Sequence, residues 1–498
     1  MKQKHIIIKD TLLYSGANYI VIIIGFVVSI FSKRVLGVSG AGCWALLSVV
    51  LLYGMYINMG INNALYREMP QCIGAKEVAK AGKIQNVTFS YLIVISLVGS
   101  VVIWILSFYL FTDPLLKTGV KIVAVLVFVT QMYNLVLAIL RARKQISILS
   151  KVVVFNSLFV AVFALPGAYL FNVNGFAAGM VVSTALSFYF SKRWGNISFS
   201  LEFDLVQIWH LLKIGLAMFL SGILYHTFLS IDKIMIGKML GIEQLGLYTI
   251  GIMAVRQIGS LPRFFSIVIF PHIQEKYGAT KDVMEIKNMI LKPTYLISRL
   301  GPVLLGIIIF LVQLVVLSVL PQFKDGLDVM KILVFGYFFI VVNEMSSTLL
   351  FTINKQKLLI PLYGIMVAVS IGMNYLFITF GWGITGVAFG TSISYLLFFL
   401  VVFTLASNHI MAWRSIVRFH FEIMIFYIYF LMNILWIDAI VNFPNIFATA
   451  FLKITCFLLI SIPVLVGVQR REKIFSLVFE TVKSKILSWR ASGVVVSK

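Results

Sequence analysis

Apolar residues in this chain fall in long unbroken blocks separated by short polar connections, without the two-residue alternation of a half-buried strand. Fourteen such stretches are legible, at roughly 11 to 31, 42 to 61, 86 to 111, 118 to 140, 152 to 171, 176 to 191, 208 to 231, 244 to 270, 293 to 320, 330 to 353, 358 to 380, 384 to 407, 423 to 441 and 445 to 468. A block of about 20 residues, rising about 1.5 Å per residue, matches the roughly 30 Å hydrocarbon thickness of a bilayer. In lipid every backbone amide must be satisfied inside the protein, so continuous blocks predict helices rather than barrel strands. The predicted fold class is all-α, a polytopic membrane helical bundle of about 14 transmembrane helices.

The blocks are duplicated. Leu36-Gly37, four residues, Gly42, one residue and Trp44 recur 204 positions later as Leu240-Gly241, four residues, Gly246, one residue and Tyr248. Lys144-Gln145 recurs as Lys355-Gln356, and Gly175, Gly179 and Ser183 recur as Gly386, Gly390 and Ser394, all at a shift of 211. A nearly constant offset over most of the chain predicts two homologous halves in tandem. The division is a six-helix lobe at 1–191, a cytoplasmic linker at 192–207, a second six-helix lobe at 208–407 and two additional spans at 408–468. An even number of spans per copy gives both the same orientation, a parallel repeat about an axis along the membrane normal. In the tail at 469–498, Phe475, Val478, Phe479, Val482, Ile486 and Trp489 share one helical face, with Lys473, Lys483 and Lys485 elsewhere. That pattern predicts a basic amphipathic helix lying on membrane lipid.

Composition agrees with the bilayer as solvent: 60% of the residues are hydrophobic, 12% are charged and mean hydropathy is +1.01. The net charge of +23 suggests nucleic acid until the charges are placed. With the N-terminus in the cytoplasm, 30 Lys and Arg fall in cytoplasmic tails and loops, about 9 on the other side and 2 within spans. This asymmetry orients a membrane protein with both termini cytoplasmic and leaves no nucleic-acid surface. The first span has no clear small-residue cleavage site and reads as a retained helix. Cys43, Cys72 and Cys456 have no CxxC spacing, so neither a disulfide framework nor a metal site is expected. The sequence has no GxxxxGK[ST], no HExxH and no Asp-x-Asp pair, and no loop exceeds about 25 residues. An enzyme and a bound cofactor are therefore not expected.

The duplicated glycine signature, its second copy following Asp232, and the twelve-span duplicated core over residues 5 to 408 resemble the polysaccharide-transporter branch of the multidrug/oligosaccharidyl-lipid/polysaccharide exporter superfamily. Within it the similarity is to Wzx-type O-antigen or capsule repeat-unit flippases. Those commonly have twelve spans, whereas fourteen is shared with the lipid II flippase of the same superfamily. The resemblance implies transfer of an undecaprenyl-pyrophosphate-linked oligosaccharide between leaflets of a bacterial inner membrane, its prenyl tail staying among membrane lipids. It also implies handover to a polymerase of the same pathway.

Such a task needs a cationic, water-filled cavity, and arginine suits phosphate oxygens because its fork stays charged. The cations expected there are Arg256 in the eighth span, Arg299 just before Gly301-Pro302 in the ninth, and Lys33 with Arg34 at the end of the first. For Arg256 a pairing with a carboxylate is the alternative, and for Arg299 a reach to the cytoplasmic surface. The row Asn58, Asn62, Asn63 and Tyr66 either lines the sugar path or joins helices by hydrogen bonds. Glu344 and Asp232 are the acids that could take a coupling proton or sodium ion, or else neutralise nearby cations. Two other functions remain open: a drug/cation antiporter of the same superfamily, with acids rather than arginines in its cavity, and an integral-membrane polymerase or ligase, which ordinarily has a large external loop.

The charge asymmetry makes a direct prediction. In a cysteine-free background, Lys76→Cys and Lys281→Cys should resist an impermeant thiol reagent added outside, while Asn174→Cys and Gln322→Cys should react; the opposite labelling pattern reverses the orientation.

Overall fold

The computed structural model describes residues 2–259, 270, 273–274 and 276–472. The predicted tail helix lies, from residue 473 onward, outside the described residues. Among the described residues no strand forms, and the helices are α1 (Lys2–Gly54), α2 (Ile61–Gly74), α3 (Val78–Leu110), α4 (Pro114–Ala142), α5 (Ile146–Phe159), α6 (Leu165–Trp194), α7 (Leu205–Phe228) and α8 (Ile231–Met239). They continue as α9 (Ile242–Ile258), α10 (Val283–Val319), α11 (Leu327–Val342), α12 (Glu344–Thr352), α13 (Leu359–Thr379), α14 (Gly383–Ser407), α15 (Trp413–Ile440) and α16 (Ile446–Glu472).

Among the described residues, nine helical stretches are long and apolar enough to cross a bilayer, and two of them, Leu13–Asn58 and Ile146–Trp194, are 46 and 49 residues long. Each is double. The first breaks at Gly37 (φ 68°, ψ −174°) and the second at Phe171 and Asn172 (φ 55° at Asn172). Leu205–Leu216 and Met218–Phe228, bent by 42°, are together long and apolar enough to make a further span. The sequence block at 330 to 353 corresponds to α11 with α12, and α9 covers the first part of the block at 244 to 270, whose residues 260–269 lie outside the described residues. The chain is a multi-pass membrane protein.

Two compact units are present. The first draws on Met1–Gln257, Val315–Gly336 and Asn354–Phe398, the second on Ile258–Leu314, Tyr337–Ile353 and Phe399–Lys498.

In the first unit the two copies of the glycine signature meet each other. Gly37 and Gly241 both have positive φ (68° and 96°), a conformation that glycine adopts without steric cost, and each starts a new helical segment. One turn later, Gly42 lies against the Ile242 carbonyl while Gly246 lies against the Val38 carbonyl, so a methyl group at either glycine would overlap backbone. The contact is reciprocal: the residue after the first glycine in each copy faces the second glycine of the other. That is the mark of a two-fold relation. Bare Cα atoms let the helices approach to backbone distance, as in small-residue packing in membranes. Around the crossing, Ala45, Ile236, Leu245, Tyr248, Leu333 and Val387 form one buried cluster. The 211-residue echo has matching geometry, since Gly179 lies against Phe163 and Gly390 against Asn374, a pair of neighbours also 211 apart.

The connection at 192–207 is strapped along α3. Gln85 Nε2 donates to the Ser198 carbonyl (2.8 Å), Asn86 Oδ1 accepts from Ser200 N (3.3 Å), and Ser90 Oγ accepts from Glu202 N (2.7 Å). Lys83 Nζ lies 2.6 Å from Asp204, and Phe89 stacks on Phe199 at 4.2 Å between ring centroids. The Lys83 ammonium, with the Gln207 amide, holds the Asp204 carboxyl below its ordinary range. The anchored residues alternate, as an extended segment requires.

In the second unit α15 and α16 are held by buried ions. Lys453 Nζ lies 2.7 Å from Asp438 Oδ1 and 3.4 Å from Asn442 Oδ1. The Phe457 ring covers Gly306 of α10 and meets Phe310 and Phe430 edge-on.

The crossing predicts a selective glycine requirement. Gly42→Ala or Gly246→Ala should lower stability by about 1–3 kcal/mol through overpacking, whereas Gly25→Ala, at a site with nothing within 4 Å, should not. Thermal unfolding of the three purified variants in one detergent checks the order.

Candidate functional site

The second span is interrupted. After Gly54, Met55–Asn58 form one tight turn, and Met59 (φ 48°) and Gly60 (φ 79°) are both left-handed before α2 begins at Ile61. Two successive left-handed residues cannot continue a helix, so carbonyls and amides are released within an apolar bundle. One fully buried side chain satisfies them. Gln131 Nε2, on α4, donates to the carbonyls of Met55 (2.9 Å) and Gly54 (3.3 Å), and its Oε1 accepts from Asn58 Nδ2 (3.1 Å). Asn58 Oδ1 in turn accepts from Gly60 N (2.8 Å), closing the chain of amides on the turn itself.

Helix α7 lies along this interruption. Gly60 and Gly215 face each other's backbone, a second pair in which any side chain would clash. On one side of that pair Tyr53 OH donates to Thr227 Oγ1 (3.0 Å), and on the other His210 Nε2 lies 3.8 Å from Glu68 Oε2. A cavity of about 280 Å³ opens between these contacts, lined by Tyr56, Asn58, Asn63, Phe219, Gly222 and His226 among others. Among the described residues its lining contains no Asp, Glu, Lys or Arg. Tyr56 meets Phe219 at 5.9 Å and His226 at 6.0 Å between ring centroids.

A second feature of the first unit is cationic. Lys33 Nζ donates to Ser29 Oγ (2.9 Å), and its ammonium is within electrostatic reach of the Arg256 guanidinium on α9. Arg256 and Arg34 are exposed, and Lys33 is half-buried.

Residues 33–320 match the model of a family described as polysaccharide biosynthesis protein. The chain belongs to that family. A solved structure of the lipid II flippase MurJ in an inward closed conformation superposes on this polysaccharide biosynthesis protein with a TM-score of 0.68 at 13% identity, covering 92% of this chain and 99% of that one. An inward-facing multidrug resistance MATE family transporter of the MOP superfamily gives 0.57 at 15% identity, covering 77% and 94%. A MOP superfamily transporter from Pyrococcus furiosus gives 0.56 at 15% identity, covering 80% and 96%. At these identities the likeness is one of fold, and it places the chain's architecture with the MOP transporters. None of the curated proteins matches it significantly.

The remaining residues singled out from the sequence of this family member are dispersed. Asn63 is exposed to the cavity, while Tyr66 and Asn62 do not line it, and the Asn62 Oδ1 is buried with no partner among the described residues. Asp232 is buried, accepting from Tyr248 OH (2.7 Å) through Oδ2 and from Lys233 N (2.8 Å) through Oδ1. Tyr248 is the aromatic residue of the duplicated signature, so this acid braces the crossing. Arg299, in the second unit, is 4% exposed, donates to Glu422 (3.0 Å) and lies 3.5 Å and 4.6 Å from the ring centroids of Tyr295 and Phe426. Glu344, half-buried in that unit, opens α12. Gln131, Tyr56, Phe219 and His226 were not singled out from the sequence. The available signal was Met59-Gly60 within an apolar run, which marks a break and hence a place where polar side chains must gather.

Gln131→Leu should therefore cost about 1–3 kcal/mol for each buried polar group left unpaired. It should also speed hydrogen exchange at residues 55–60 in the intact membrane-embedded protein, with exchange in α3 unchanged.

Proposed function

We propose that this protein is a flippase carrying undecaprenyl-pyrophosphate-linked oligosaccharide repeat units, of O-antigen, capsule or a related polysaccharide, across the bacterial inner membrane, with both termini cytoplasmic. The observation that supports it is that the Lys33 ammonium and the Arg256 guanidinium, one from each copy of the repeat, lie within electrostatic reach of each other. Lys33 precedes Gly37 by four residues and Arg256 follows Gly246 by ten, or about 6 Å and about 15 Å of helix. A pyrophosphate is a compact group with several negative charges. It suits one ammonium and one guanidinium held together in a medium of low dielectric. The family's description and the MurJ-like fold support the same reading.

In this mechanism the lobes at 1–191 and 208–407 rock about the site, with the glycine crossing as the closed outer end. The phosphate is held by Lys33 and Arg256, joined by Arg34, while the prenyl tail stays in lipid. The sugars pass Asn63 and its neighbours in the row Asn58, Asn62 and Tyr66. Without a nucleotide-binding motif, the driving force is an ion gradient or withdrawal of product by the polymerase of the pathway. Glu344 and Asp232 are the carboxylates assigned to the coupling proton or sodium ion. The described lining of the aromatic cavity is polar and aromatic instead of acidic, which favours a neutral cargo over a drug cation.

A guanidinium in the bilayer interior costs about 2.5–3.5 kcal/mol on insertion scales, so its retention needs a ligand or a partner. Arg256→Ala should abolish surface polysaccharide in a strain lacking the native gene, at unchanged membrane protein level, and Arg256→Lys should restore only part of it. Full export by Arg256→Ala at normal abundance eliminates the phosphate role.

A further inference from the structure

We infer that the cavity beside the interruption in the second span is a saccharide subsite, taking the apolar C–H face of one neutral pyranose ring of the cargo; this rests on the flippase reading. The cavity's volume of about 280 Å³ lies just under the roughly 300–1,000 Å³ of sites that enclose drug-sized ligands, the scale of a single ring. Its chemistry excludes other cargo. Among the described residues it has no Asp or Glu to receive a cationic drug, and no Lys or Arg to hold phosphate. What remains is the mixed surface that sugars present in complement: aromatic rings for polarised C–H bonds and an amide for hydroxyls.

The three rings converge, Tyr56 standing at 69° to Phe219 and at 55° to His226. The negative face of an aromatic ring attracts the slightly positive C–H edge of a sugar. Gly222 keeps the space open, since a Cβ there would lie 3.3 Å from the Tyr56 hydroxyl. Asn63 supplies a side-chain amide at the exposed rim. Asn58 is spent on Gln131 and Gly60, so it holds the wall in shape instead of bonding the sugar. The cavity lies beyond Gly54, about 18 Å or more of helix from the crossing at Gly42. In the proposed orientation that is the cytoplasmic end, where a glycan headgroup is first met.

The test is saturation-transfer-difference NMR on the purified full chain in lipid nanodiscs. The probes are glucose, galactose, N-acetylglucosamine and N-acetylgalactosamine, with sodium pyrophosphate as competitor. At least one sugar should receive saturation on its ring C–H protons, and pyrophosphate should leave that signal unchanged. Tyr56→Phe should keep it, Asn63→Leu should weaken it about three- to tenfold through one lost hydrogen bond, and Gly222→Leu should abolish it by filling the cup. No transfer to any of the four sugars overturns the subsite, as does equal transfer in wild type and Gly222→Leu. Should Gly222→Leu fail to fold, unchanged transfer in both Asn63→Leu and Tyr56→Ala overturns it. The readout is binding of free sugar, so it separates from translocation. Absent binding with export lost in Arg256→Ala removes the subsite and leaves the flippase; sugar binding by a chain whose wild type fails to restore surface polysaccharide in that strain does the reverse.

Discussion

Two helices can come to backbone contact only where neither carries a side chain at the point of approach. The chain meets that condition at Gly42 and Gly246, each seated on a carbonyl contributed by the other copy of the same short signature. Most of the first unit follows from it. Gly37 and Gly241 turn the chain into the crossing, Tyr248 is fixed by the buried Asp232, and the apolar cluster of Ala45, Leu245, Leu333 and Val387 fills the space alongside. In lipid there is no hydrophobic drive to press helices together, so closeness of fit supplies the attraction. A duplicated sequence that meets itself reciprocally obtains the same fit twice from one short pattern.

The second constraint is polar. Every interruption of a helix inside the bundle exposes groups that the bilayer cannot satisfy. The second span resolves this with one glutamine, whose amide covers two carbonyls and whose oxygen holds the asparagine that closes the turn. Buried ions are managed likewise, Arg299 by Glu422 and two rings, Lys453 by Asp438 and Asn442. An aromatic cavity is left beside this amide network, and Lys33 and Arg256 lie on another helix pair.

Much of the fold was legible because hydropathy reports the solvent directly. Among the described residues the apolar blocks fall on helices, nine stretches of which are long and apolar enough to cross a bilayer, and the shifts of 204 and 211 relate Gly42 to Gly246 and Gly179 to Gly390, which have matching neighbours. The interruption was hidden, since the apolar run continues through Met59-Gly60 to residue 61, and hydropathy averages over backbone conformation. The aromatic cup was hidden for another reason. Tyr56 and His226 are separated by most of the first lobe, and nothing in either segment's composition says that they share a wall. Glu422 likewise lies 123 residues from Arg299, outside the duplicated core where a counter-charge was sought.

The strapped connection between the two copies has a mechanical consequence. A segment tied down at Ser198, Ser200, Glu202 and Asp204 has no slack, because its last anchor, Asp204, also caps the first turn of α7 through Gln207. Such a segment transmits displacement rather than absorbing it: a tilt of α3 is passed as a pull on the start of α7. The covalent joint between the copies is thus a taut strut, and its length, fixed to the residue, sets the distance over which the two helices stay coupled.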